Sequence, residues 1–320
     1  MRDQAQIPTQ TEISPDAALR RPLCVDLDGT LVKSDTLVDS LLVLVRTHPR
    51  SVVKTFRWVM DGKAALKAQV GRIVSLDVAH LPYNRPLLAF LEQERAQGRR
   101  IYLTTGADTK LAGKIAAHLG LFDAVLASDG DKNLTGDNKL AGLRAEFGDE
   151  GFDYIGNAGP DLPLLQHAGE AMLANPHASL TGKLKSRKIN IGRRFEDRAS
   201  RRKAFLKAIR LHQWAKNILI FVPLLLAHSL KLPLLLNAVL AFFCFSLCAS
   251  ATYIVNDLLD IEADRRHPKK RLRPFAAGDL QVSTGVAIIV IFMAAAFAGT
   301  YFLPLEFLGW LAPLELCYQS

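Results

Sequence analysis

CVDLDGTLV, residues 24–32, decides the reading of the first half of the chain. A short apolar run ends at Asp26, a second aspartate follows at Asp28, and Gly29 allows a sharp turn. Bounded in this way, the run predicts a buried strand of a parallel sheet, with its chemistry at the carboxyl end. Similar runs follow: RIYLTT (100–105), AVLAS (124–128), FDYIGN (152–157) and AMLANP (171–176). Helical patterns lie between them, as in DTKLAGKIAAHLG (108–120), whose last glycine is a stop signal. Strands alternating with helices predict an α/β unit over 22–178. Residues 35–97 break the rhythm with amphipathic helical sequence, expected as a helical cap inserted after the first strand. Residues 1–21 are polar and lack the apolar core of a secretory signal, and are expected as a disordered lead-in.

An aspartate at a strand end can attack phosphorus and form an aspartyl-phosphate. A second carboxyl two positions on can protonate the leaving oxygen and then activate water. The pattern hhhDxDGTxx, with Thr30 ordering the loop, resembles the haloacid dehalogenase (HAD) phosphatase family. The resemblance implies Asp26 as nucleophile and Asp28 as acid and base. It implies Thr105 in IYLTTGAD as the phosphate-binding hydroxyl, with backbone N–H groups from Gly106 and Ala107. Lys139 in NLTGDNKLAGL becomes the cation that neutralises phosphoryl oxygens, and Asp161 in FDYIGNAGPDLPLL the final acid. A magnesium ion would then be held by Asp26, Asp28, Asn157 and Asp161. The family's usual Gly-Asp is Gly156-Asn157 here, and a neutral amide is a poorer magnesium ligand than a carboxylate.

The 320 residues carry a net charge of +9, unevenly spread. Residues 1–182 hold 20 Lys and Arg against 22 Asp and Glu, and residues 183–320 hold 20 against 9. That second, basic part also contains the stretches 217–230, 232–256 and 280–305, all free of Asp, Glu, Lys and Arg. Base-rich sequence interleaved with apolar runs favours a membrane surface over nucleic acid. About 20 apolar residues cross a bilayer, so the second and third runs are long enough. The first is shorter, with a far-side turn expected at 229–233, and a fourth run, 307–320, is interrupted by Pro313 and Glu315. Basic residues at both ends of 217–256 place those ends in the cytoplasm. Residues 179–216, with 13 Lys and Arg, are expected as a basic juxtamembrane linker. Cys24, Cys244, Cys248 and Cys317 have no framework spacing, which fits a reducing compartment.

YIVNDLLDIEADRRHPKKRLRP (253–274) closes the second apolar run with acids at helical spacing and bases behind them. At about 100° per residue, Asp257, Asp260 and Asp264 share one face with Asn256 beside them. Clustered carboxylates repel unless a cation joins them, and magnesium shared with a phosphate is the natural choice. Arg265, His267, Lys270 and Arg273 would hold the phosphates. The stretch NDLLDIEADRRHPKKRLRP resembles the first aspartate-rich motif of the UbiA membrane prenyltransferase family. QWAKNILIFVPLLLAH (213–228), with Lys216 and Asn217 as substrate contacts, resembles the first membrane helix of one branch. In that branch, polyprenyl phosphate receives a phosphoribosyl group from phosphoribosyl diphosphate.

The expected fold is therefore an α/β Rossmann-like HAD domain with a helical cap, then an all-α transmembrane domain over 217–320. That second domain is expected as an incomplete UbiA-like helical bundle of about three or four membrane helices. The resemblance implies a multi-pass protein of the cell inner membrane with its HAD domain in the cytoplasm. Its partners would be the bilayer and polyprenyl phosphate or prenyl diphosphate, its cofactor Mg2+, and no nucleic acid is expected. The HAD half would remove a sugar phosphate on the way to an arabinose donor. A more distant resemblance is to nodulation proteins of the NoeC type, linked to arabinose on bacterial signal molecules. The alternatives are an aromatic or quinone prenyltransferase with an unrelated HAD unit, and a truncated chain with phosphatase activity and a membrane anchor.

Overall fold

The computed structural model describes residues 20–128, 134–226, 228 and 231–303. Residues 1–19 of the expected lead-in, residues 229–230 of the far-side turn and the run 307–320 lie outside the described residues. The chain divides into two compact units. The first comprises the residues through Thr36, Thr55–Ala79 and Tyr83–Asp197, and the second Leu37–Lys54, His80–Pro82 and the residues from Arg198 onward.

In the first unit, β1 (Leu23–Val25), β2 (Ile101–Asp108), β3 (Ala124–Ser128), β4 (Asp153–Gly156), β5 (Ala171–Ala174) and β6 (Ile191–Phe195) form one sheet. Its order is β3-β2-β1-β4-β5-β6, and every pairing is parallel. The chain thus reverses its direction of winding between β1 and β4, and ligands of open α/β sheets bind at the carboxyl side of such a switch. Leu23, Val25, Ile101, Leu103 and Ile155 are fully buried, as expected for strands covered on both faces.

Five of the six strands coincide with the apolar runs in the sequence. The sixth, IGRRF, departs from the expected linker. Residues 178–197 form a helix and the edge strand of the sheet, and Arg193 and Arg194 are exposed on it. Charged side chains suit an edge strand because they discourage further pairing, and they also hide it from an apolar-pattern search.

The helices in chain order are α1 (Thr36–Thr47), α2 (Val52–Met60), α3 (Lys63–Ile73), α4 (Arg85–Ala96), α5 (Thr109–Leu119), α6 (Asp137–Phe147), α7 (Leu162–His167) and α8 (Ala178–Ser186). In the second unit follow α9 (Arg201–Ala208), a 3-10 stretch (Leu211–Phe221), α10 (Val222–Leu226), α11 (Leu232–Leu259), α12 (Ile261–Arg266) and α13 (Val282–Thr300). The segment expected as a cap is divided: Leu37–Lys54 belongs with the second unit and Thr55–Ala79 with the first. The reason is specific. Leu42 packs on the cluster of Ile254, Leu258, Ile261, Phe275 and Ile288, and Asp39 makes a buried ion pair with Arg265.

Two helices among the described residues, α11 and α13, are long and apolar enough to cross a membrane, and most of their residues are not buried. They pack on each other through small residues. A Cβ added at Gly299 would lie 2.4 Å from Cys244 Sγ, and one at Gly285 would lie 2.8 Å from the Phe275 ring. Close approach at small residues is how such helices gain contact without a hydrophobic drive between them. Among the described residues of the run 217–230 there is no long helix; the apolar helical segment there is Leu211–Leu226, shorter than the two candidate spans.

Candidate functional site

In the first unit, the loop after β1 turns back on itself. Gly29 adopts φ +77, Leu31 N–H donates to Asp26 O (3.2 Å), and Val32 N–H donates to Leu27 O (2.9 Å). The turn requires glycine twice over, since a Cβ at Gly29 would also stand 2.0 Å from the Asn157 side-chain nitrogen. The DxDG loop after β1 and the loop after β4 are thereby held against each other across the switch point.

Asp26 is buried at this point, with Lys139 Nζ 2.7 Å from its Oδ1 and Thr30 Oγ1 donating to its Oδ2 over 3.2 Å. Lys139 also lies 3.9 Å from Asp161 Oδ1. Burial pushes Asp26 up to about 6 against the opposing pull of Lys139. Burial alone would lower Lys139, but the surrounding carboxylates outweigh it and hold the ammonium above its ordinary value. Asp28 keeps some access to solvent, and its Oδ1 accepts from Thr36 N–H (2.8 Å). Its carboxyl is raised above the usual carboxylate range by burial and then by the neighbouring Asp35.

Thr105 is fully buried in β2, where the pairing with β3 is interrupted between Thr104 and Asp108. Its hydroxyl accepts from Ala107 N–H (2.9 Å), so that N–H, expected as a phosphate contact, is used within the loop. The carbonyl of Gly106 accepts from Ser128 Oγ (2.9 Å) and from Lys67 Nζ. Asp161 also has tasks of its own. Its Oδ2 accepts from Asn157 N–H (2.9 Å) and Ala158 N–H (3.0 Å), and its Oδ1 from the Tyr154 hydroxyl (2.9 Å).

Two participants escaped the sequence reading. Tyr154, fully buried, accepts from Lys139 Nζ (3.1 Å) while donating to Asp161. It alternates with apolar neighbours in β4 and reads as a core tyrosine. Lys67 of α3 reaches the Thr105–Ala107 loop from a segment whose only signal was amphipathicity.

The residues present fit a magnesium ion in one respect. Asp26, Asp28 and Asp161 supply three carboxylates against the single ammonium of Lys139, an excess of negative oxygen that suits a hard divalent cation. Among the described residues, however, no group of three or more acids, histidines or cysteines is gathered as a ready metal site.

The second unit answers the expected acidic cluster differently. Asp257, near the end of α11, and Asp264, in α12, are both buried and share the Arg273 guanidinium, at 3.1 and 2.8 Å. Arg210, stacked 4.6 Å from the Tyr253 ring centre, adds a second cation on Asp257 at 2.5 Å. Asp260 does not join them. Helix α11 gives way at this residue, and its carboxylate pairs with Arg46 of α1. The single face expected for the three aspartates is thus broken by the irregular backbone at Asp260 (φ −92, ψ 5).

Arg265 and Arg273, expected on phosphates, are held by acids instead. Arg265 is buried with Asp39 (2.8 Å) and donates to Ala276 O (3.2 Å). Each aspartate of the motif is neutralised where it stands, so the arrangement does not fit a magnesium ion as it is. Asn217 is buried and donates to Ser246 Oγ (2.8 Å), a contact between the 3-10 stretch and α11. Lys216, Asn256 and Lys270 are exposed.

Comparison with known proteins finds likenesses in both halves of the chain. Residues 217–319 match the UbiA prenyltransferase family. The uncharacterized protein y4nM of Sinorhizobium fredii is 36% identical over 287 residues, 89% of this chain and 55% of that protein. The decaprenyl-phosphate phosphoribosyltransferase of Mycobacterium tuberculosis is 41% identical over 103 residues, 31% of this chain and 34% of that enzyme. The nodulation protein NoeC of Azorhizobium caulinodans is 43% identical over 90 residues, 28% of this chain and 29% of that protein. The chain spans about half the length of the first of these and about a third or less of the others. Among solved structures, a phosphoserine phosphatase held as a phospho-aspartyl intermediate analogue is similar at TM-score 0.39 and 17% identity, over 57% of this chain and 96% of that one. Residues 217–319 thus match the UbiA family model, and the first unit is a parallel six-stranded α/β sheet with the DxDG loop at the end of β1.

Proposed function

We propose that the chain is part of a membrane-bound enzyme of polyprenyl-phosphate sugar metabolism. Its UbiA-type region would serve transfer of a phosphoribosyl group from phosphoribosyl diphosphate to polyprenyl phosphate. Its HAD-type unit would remove a phosphate from the sugar, toward an arabinose donor. The observation that carries this reading is the likeness of the UbiA-type region to decaprenyl-phosphate phosphoribosyltransferases, beside a phosphatase-like unit in one chain. Helices α11 and α13 would span the cell inner membrane, with the basic ends and the HAD-type unit on the cytoplasmic side.

For the phosphatase step, an Asp26 oxygen attacks phosphorus, the bond to the sugar oxygen breaks, and Asp28 delivers the proton to that oxygen. The raised carboxyl of Asp28 suits an acid at neutral pH. Asp28 then takes a proton from water, which attacks phosphorus and releases inorganic phosphate and Asp26. Lys139 and Thr105 hold the phosphoryl oxygens. Asp26, Asp28, Asp161 and the Asn157 amide are the residues that would hold Mg2+, which when bound would neutralise charge on the transferring group.

The test uses the full chain in lipid nanodiscs with magnesium. Release of phosphate from ribose 5-phosphate that is lost in Asp26→Asn supports the phosphatase assignment; equal activity in the variant refutes it. For the topology, a cysteine at position 231 should react with an impermeant reagent from outside and one at position 270 should not.

A further inference from the structure

Helix α2 buries none of its residues. Val53, Phe56, Val59 and Met60 are 75, 76, 59 and 88% exposed, an unusual display for side chains of this kind. At about 100° per residue, Val52, Val53, Phe56, Val59 and Met60 fall within one sector about 120° wide. Arg57 borders that sector, Lys54 lies across the helix from it, and Arg50 precedes the helix. No acid occurs from Ser40 through Met60. An apolar stripe on a helix whose charges are all basic is the pattern of a helix lying in a lipid surface, where the bases meet anionic phosphates.

Only a short stretch of chain separates the start of this helix from such a surface. Arg46, at the end of α1, donates to the carbonyl of Leu259 (3.2 Å) and pairs with Asp260, at the end of the apolar helix α11. That point is where the uncharged run of α11 stops and charge begins. Helix α2 starts at Val52, six residues beyond Arg46, a reach of at most about 20 Å in extended chain.

We propose that α2 is an interfacial helix that docks on the anionic surface of the bilayer. Val53, Phe56, Val59 and Met60 enter the headgroup boundary. Arg50 and Arg57 contact lipid phosphates, and Lys54 adds to the attraction from the outer side. The inference rests on reading α11 and α13 as membrane-spanning, and the experiment separates the two.

The four native cysteines are replaced by serine, and single cysteines carrying an environment-sensitive fluorophore are placed at positions 53, 54, 56, 57, 60 and 290. The full chain is reconstituted in vesicles of phosphatidylethanolamine and phosphatidylglycerol. Labels at 53, 56 and 60 should shift to the blue and lose most of their emission to a lipid bearing a nitroxide near its headgroup. The label at 54 should emit as in water, and the label at 57, on the border of the stripe, should emit between the two. Reversing Lys54→Glu with Arg57→Glu should abolish quenching at 56 while leaving the label at 290, in α13, quenched by a nitroxide deep in the acyl chains. Water-like emission at 53, 56 and 60 with normal deep quenching at 290 overturns the proposal alone. Shielding at those positions without lipid quenching, or disulfide formation between copies through a cysteine at 56, overturns it in favour of a protein occupant. Loss of quenching at 290 overturns the spanning reading on which it rests.

Discussion

Tyr154 donates its hydroxyl proton to Asp161 over 2.9 Å, beneath the carboxyl ends of the sheet. The same oxygen accepts from Lys139, so one phenol spaces a cation from an acid that it would otherwise approach. Tyr154→Phe should let Lys139 relax from Asp26 toward Asp161. The expected outcome is a fall in phosphate release on the order of tenfold, about 1.4 kcal/mol in the barrier. Thermal unfolding should show a loss of about 1–3 kcal/mol from the unmet Asp161 oxygen. Unchanged turnover would mean that Lys139 does not depend on the phenol.

Asp26 gives the first unit a pH signature. Its folded value, about 6, lies above the ordinary carboxylate value of about 3.9. An acid whose folded value is raised contributes stability below its unfolded value and loses it as pH rises through the folded one. In the presence of a metal chelator, the melting temperature of the first unit should therefore decline between about pH 4 and 6 through this group. Asp26→Asn should flatten that decline, and an unaltered slope would count against it.

The sheet also sets where the first unit can be cut. A chain ending at residue 182 lacks β6, which pairs with β5 from Ala171↔Ile191 to Ala174↔Phe195. A chain ending at residue 197 retains it. The shorter fragment should unfold at lower denaturant concentration and show faster amide exchange at Met172 and Leu173, measured side by side. Equal stability would show that the edge strand is dispensable.

In the second unit, Asp39 and Arg265 are the pair whose loss should cost most. Both are buried, and removing one partner strands the other charge, at about 3–5 kcal/mol. Asp39→Ala should therefore lower the thermal stability of α11 and α12 in nanodiscs by an amount in that range. The double change Asp39→Leu with Arg265→Met should restore most of it, because no isolated charge remains. A single variant as stable as the parent would show that the pair is solvated in the membrane.

The first unit was legible because its strands are covered on both faces and stop at chemistry-bearing residues. Asp26, Asp28 and Thr105 could be placed at strand ends and Lys139 and Asp161 by the family resemblance, and the structure brings Lys139 to Asp26 and Asp161. What could not be read was who partners whom. The hydroxyl of Tyr154 and the ammonium of Lys67 sit on patterns that also suit a core tyrosine and a surface lysine. Strand β6 was missed because an exposed edge tolerates Arg193 and Arg194 where an interior strand would not. In the second unit the acids were visible, but helical periodicity assumes an unbroken helix, and the backbone at Asp260 ends one. Arg46 and Arg210 come from segments outside 253–274, so local spacing carried no trace of their pairing with Asp260 and Asp257.

The contact between α1 and the end of α11 also orders events in time. Asp39 leaves the ribosome 226 residues ahead of Arg265. At about 5–20 residues per second, that interval is roughly 10–45 s. The thermodynamic cost of closing so long a loop grows only slowly with its length, so the delay is a kinetic burden. The strands of the first unit can pair during that wait, from Leu23 through Phe195, with residues 37–54 looped out. Helix α1 must stay soluble meanwhile, with Leu42 uncovered, until the apolar helices have been inserted. A nascent chain stalled before residue 254 should therefore hold a folded sheet and a protease-sensitive loop, and the loop should become resistant once Ile288 has been made.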